Sequence, residues 1–113
     1  MFENTDFTGN TGNEPDIVGY GDVHIAFTIG LYSNQKTIFN AGSVGCPADE
    51  PKATYAILEG LLNSDAEGPF SISHVRLPYD IELAVAQAEE AGVPEIEAHA
   101  VELRTAVYRG LQK

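Results

Sequence analysis

The sequence predicts a small α+β domain, with an α/β sandwich as the neighbouring class. Three observations carry that expectation. Between Val23 and Tyr32, apolar Val23, Ile25, Phe27, Ile29 and Leu31 alternate with His24, Ala26, Thr28, Gly30 and Tyr32, the period of two of a half-buried strand. Later segments switch to apolar spacings of three and four, the helical period. The order of these segments, two strands, a helix, a strand and two helices, places helices over a small mixed sheet with a β-hairpin in it.

Each element has its own warrant. Residues 1–16 are rich in Asn, Thr, Gly and Asp and read as a polar N-terminal arm, leaving 17–113 as one domain. After the first strand, "SNQK" supplies turn residues and "TIFNAGSV" a returning strand. In "PADEPKATYAILEGLL", Thr54, Ile57, Leu58, Leu61 and Leu62 fall on one helical stripe. Asp49 or Glu50 stands ready to cap it, and Pro51 suits its first turn. That pattern predicts a helix over 51–62. "FSISHVRL" reads as a third strand that Leu77-Pro78 stops. "YDIELAVAQAEEAG" stacks Ile81, Ala84, Val85 and Ala88 on one face, with Gly92 as a helix stop. Pro94 opens a last helix whose stripe is Ile96, Ala100, Leu103, Val107 and Leu111.

Composition narrows the function classes. A chain of 113 residues fits one domain with a core of its own. Its single cysteine excludes an internal disulfide, which favours a reducing compartment. No basic and apolar leader stands at the N-terminus and no run reaches the roughly 18 apolar residues of a membrane span, so the expectation is a soluble cytoplasmic protein.

The formal net charge of −11 comes from 17 acids against 6 bases. Such a field repels nucleic-acid phosphate and anionic membrane and favours a basic partner. The densest acids are Asp80, Glu82, Glu89, Glu90, Glu95 and Glu97, with no Lys or Arg between Arg76 and Arg104. On helices they would form one acidic face.

Chemistry-bearing residues are few. Cys46 lies in a Gly/Pro turn beside Asp49 and Glu50, whose charges raise a thiol pKa, and reads as a structural turn thiol. His24, His74 and His99 lack metal-ligand spacing. "GYGDVHIAF" and "GSVG" match neither dinucleotide nor P-loop glycine patterns. No nucleophile, base and orienter come together, and no cofactor is implied.

One resemblance remains. "TDFTGN…VGYG", "KATYAILEGLL" and "PYDIELAVAQA" together resemble the ribonuclease H-like pattern, with an Asp in the first strand, a helix after the third strand and an Asp after the fourth. The resemblance implies a degenerate ribonuclease H-like sheet with an extra N-terminal strand, and Asp6 and Asp80 holding Mg²⁺ or Mn²⁺ for phosphodiester hydrolysis, or an inactive relative. Thr54 stands where that family's helical Glu falls. The leading expectation is a small acidic non-catalytic binding protein, an inhibitor or accessory subunit. It would engage a basic protein through the acidic helical face, with no direct nucleic-acid or membrane binding, and homodimerisation is compatible with the pattern.

Overall fold

The computed structural model describes residues 15–31, 35–61, 63 and 65–112; residues 1–14 of the polar arm lie outside them. The fold is α+β: a three-stranded sheet, a two-stranded sheet, two helices and a closing 3-10 turn. Strands β1 (Ile17–Tyr20), β2 (Ala26–Leu31) and β3 (Lys36–Ala41) form the first sheet in the order β1-β3-β2. β2 and β3 are the expected hairpin, registered through Ile29–Ile38 and Phe27–Asn40. β1 lies parallel to β3, with Val18 opposite Ile38, so the sheet is mixed.

The second sheet corrects the sequence reading. Residues 53–59 are strand β4 (Ala53–Glu59), not a helix, and β4 pairs antiparallel with β5 (Ser71–Leu77). The segment "ATYAILE" satisfies both periods. Thr54, Ile57, Leu58 and Leu61 make a helical stripe, while Tyr55 and Ile57 make a strand face. The partner decides: Tyr55 meets Val75 and Ile57 meets Ser73 across the ladder. The supposed capping residue is taken elsewhere. Asp49 accepts hydrogen bonds from the Ala26 N–H (3.0 Å) and the Arg76 guanidinium (2.9 Å), so it joins β2 to β5.

Polar ties recur where the two sheets meet. Thr54 is fully buried and crowds Gly42, whose φ of +76° and narrow clearance both require the missing Cβ. His74 Nε2 lies 2.7 Å from Thr28 Oγ1. Buried Asn40 donates to the Gly21 carbonyl and accepts from the Gly42 N–H, satisfying its amide.

Helix α1 (Ile81–Glu90) begins where Asp80 accepts a hydrogen bond from the Leu83 N–H at 3.0 Å. It ends at Gly92 (φ +70°), with Val93 N–H on the Ala88 carbonyl and Gly92 N–H on the Glu89 carbonyl, a Schellman cap. Helix α2 (Ile96–Thr105) packs on α1 through Ala100 and Leu103 against Val85, Ile81 and Ala84. The last helix stops six residues short of Leu111. Ala106 turns left-handed (φ +59°), and a 3-10 turn at Arg109–Leu111 doubles back. Val107 and Leu111 therefore stay exposed rather than extending the core stripe.

The molecule is extended. Its radius of gyration is 17.7 Å, against about 13 Å for a compact domain of this length. Buried apolar side chains are few, and Ile29, Ile57, Leu58, Leu61, Phe70 and Leu77 are all exposed. Among the described residues, no helix is long and apolar enough to cross a membrane.

Burial ranks the core positions. Leu103, 2% exposed, should cost about 2–5 kcal/mol as Leu103→Ala. Leu61, 67% exposed, should stay within about 0.5 kcal/mol as Leu61→Ala, although the helical stripe had placed it inside. Urea unfolding of both variants measures the contrast.

Candidate functional site

The acidic residues that the sequence grouped together divide into two sets. Asp80, Glu82 and Glu95 are committed within the chain. Asp80 caps α1. Glu82 takes a two-pronged ion pair from Arg104, 2.7 Å on each oxygen, which joins α1 to α2 and holds the Glu82 carboxyl below its ordinary pKa. Glu95 pairs with Arg109 at 2.6 Å.

Glu89, Glu90 and Glu97 are exposed around the elbow between the helices, Glu89 and Glu90 in the last turn of α1 and Glu97 in the first turn of α2. No Lys or Arg among the described residues pairs with them. The last turn of α1 carries no basic residue. Glu89 and Glu90 therefore stand against the negative end of the helix dipole, where a cation is the favoured neighbour.

The bare elbow follows from where the bases go. Lys36 pairs with Asp16, Lys52 with Glu50, Arg76 with Asp49, Arg104 with Glu82 and Arg109 with Glu102 and Glu95. All five lysines and arginines among the described residues are thus held by acids of the same chain.

The sequence reading missed Glu102. It is 4% exposed and receives three hydrogen bonds from Arg109: backbone N–H at 2.8 Å, Nε at 3.0 Å and Nη2 at 2.9 Å. The Arg109 hydrogen bonds outweigh burial and hold its carboxyl down to about 2. The spacing of seven among Glu95, Glu102 and Arg109 was the available signal. It points to one helix face, and the reversal at Ala106 brings Arg109 back onto it.

Cys46 approaches this pair, Sγ 3.7 Å from Glu102 Oε2. Burial first, then the Glu102 charge, push the thiol pKa up. Tyr79 lies close by; burial and Cys46 raise its hydroxyl pKa as well. A thiol held protonated beside a carboxylate is a poor nucleophile. His99 Nδ1 is 3.9 Å from Glu102, whereas His24 reaches the Cys46 carbonyl at 2.9 Å and His74 reaches Thr28. The histidines are thus dispersed, with only His99 near the buried pair.

The ribonuclease H-like pattern is not met in the described residues. The helix it needs after the third strand is β4, and Asp80 is spent on the α1 cap. Asp6 lies outside the described residues. Among those residues, no group of three or more His, Cys, Asp or Glu is placed to hold a metal. No protein-family model matches the chain, and no curated protein matches it.

Glu102 sets a pH dependence. Its folded pKa is depressed, so its contribution is complete above its ordinary value of about 4.5 and is lost as pH falls toward 2. Glu102→Gln should destabilise by about 1–2 kcal/mol at pH 7, a modest figure because Arg109 is 36% exposed. Denaturant unfolding from pH 6 to pH 2 should show the two proteins converging at the acid end.

Proposed function

We propose that this chain is a small acidic, non-catalytic binding protein, an inhibitor or accessory subunit acting in the cytoplasm. Its partner is a protein with a basic surface, and the contact is the helical elbow. The observation that supports this reading best is the disposition of charge. The chain occupies its described bases internally and leaves Glu89, Glu90 and Glu97 bare, two of them against a helix dipole. Lysines or arginines of a partner relieve that arrangement and gain steering from the net charge of −11. Asp80, Glu82 and Glu95 are engaged within the chain, by the α1 cap and by Arg104 and Arg109, and are not the groups offered to the partner. A field of this sign disfavours nucleic acid directly, so a nucleic-acid-handling partner would be met on its basic surface.

Replacing Glu89, Glu90 and Glu97 together by Gln separates binding from stability. The variant should stay within about 0.5 kcal/mol of the parent, because relief of Glu89 and Glu90 at the C-terminus of α1 offsets the loss of Glu97 from the first turn of α2. Its retention of partner in a salt-graded pull-down should fall about tenfold at low salt, and the remaining binding should lose most of its salt dependence. Unchanged capture with the same salt profile would end the proposal.

A further inference from the structure

The helical half of the chain is closed on itself. Its buried core is Val85, Ala100 and Leu103, and the partly buried apolar side chains packed on that core, Ile81 and Ala84, come from α1 as well. Among the described residues, no side chain of either sheet belongs to it. Arg104 clamps α2 to α1 through Glu82, Arg109 returns to Glu102 and Glu95, and Gln112 Nε2 donates to the Ala98 carbonyl. Asp80 caps α1 from the same segment.

The sheet half is tied up in its own way. Ala48 N–H donates to the His24 carbonyl, Thr54 N–H donates to the Ser43 carbonyl, and the His24 ring meets the Cys46 carbonyl. The 43–54 segment, Cys46 included, is thereby held to the sheets. Arg76 on Asp49 and His74 on Thr28 add further ties.

Between the halves little remains. Among the described residues, one hydrogen bond crosses from 15–77 to 78–112, Cys46 Sγ to Glu102 Oε2 at 3.7 Å. A thiol is a weak donor. The nearby Tyr79 hydroxyl is buried with no hydrogen-bond partner among the described residues. A buried hydroxyl without a partner costs free energy that contact with water returns.

We propose that the helical pair reorients as one rigid body on this seam, turning about residues 77–80 between a seated position and one tilted away from Cys46. Two parts of a chain are held fixed to each other when the interface between them is large and apolar. The polar groups at this seam are a weakly bonded thiol and an unpartnered phenol, which pull in opposite directions. Tilting breaks the Cys46 bond and lets water reach Tyr79. Leu77 ends β5 and Asp80 caps α1, so the turn falls at element termini, where hinges absorb their change in backbone angle. Glu89, Glu90 and Glu97 all ride on the moving body, so the elbow can change its aim without disturbing either sheet.

Residual dipolar couplings of the full ¹⁵N-labelled chain in an uncharged aligning medium test this, with the amides of β2–β5 and those of α1 and α2 fitted separately. The parent should require two alignment tensors, the helical one about 0.7 of the sheet magnitude or less, the ratio of a mobile to a rigid order parameter. Tyr79→Phe removes the unpartnered hydroxyl and should bring the ratio toward unity. Cys46→Ala removes the crossing bond and should lower the ratio further. A single tensor that fits both halves of the parent overturns the proposal, whatever the variants do. Two tensors whose ratio Tyr79→Phe lowers or leaves unchanged overturn it as well, because the seam would then not be where the motion is set. None of these outcomes depends on what Glu89, Glu90 and Glu97 bind, so the elbow reading stands or falls separately.

Discussion

The carboxylate of Glu102 is the fixed point of the C-terminal half. Arg109 gives it three hydrogen bonds, and with the same guanidinium reaches Glu95 at the start of α2. That grip accounts for the left-handed turn at Ala106, the end of α2 at Thr105 and the exposure of Val107 and Leu111 beyond it. The buried acid also touches the 43–50 segment through Cys46, which ties the helical pair to the connection between the sheets. A buried charge costs free energy unless it is paired and hydrogen-bonded, and here one arginine does both.

The same economy of cations runs through the chain. Six bases must serve 17 acids, and among the described residues all but Lys52 tie separate segments together: Lys36 at the start of β3, Arg76 between the sheets, Arg104 between the helices, Arg109 back onto α2. What remains outward is negative by subtraction. The acidic character of the elbow therefore depends on where the few bases are held, and moving Arg104 or Arg109 outward would cancel it. Where the hairpin meets the first sheet, Arg76 on Asp49 and His74 on Thr28 make polar ties.

Much of this was legible in the sequence, and the failures have definite causes. The β2–β3 hairpin, β5, α1 and the stop at Gly92 follow from local signals: alternation, a Pro boundary, a stripe with an N-cap and a glycine at the left-handed position. β4 does not, because "ATYAILE" fits two periods and only pairing with β5 distinguishes them. Asp49-Glu50-Pro51 imitates a helix start until Asp49 is seen to be taken by Ala26 and Arg76. The early end of α2 depends on the return of Arg109 to Glu102, a contact that no local pattern announces. For the site, position along the chain grouped six acids as one helical face. It could not tell which were already paired, since that depends on Arg104 and Arg109 coming from the other side of the fold.

The direct test of the account is a map of where a basic ligand lands. Amide chemical shifts of ¹⁵N-labelled protein would be followed while an oligo-arginine peptide is added at low salt. The account predicts the largest changes at Glu89, Glu90, Gly92 and Glu97, fading as salt is raised, with Arg104 and Arg109 undisturbed. Changes centred instead on Glu82, Glu95 and Glu102, with the two arginines released, would show that the internal pairs are not fixed and would contradict it.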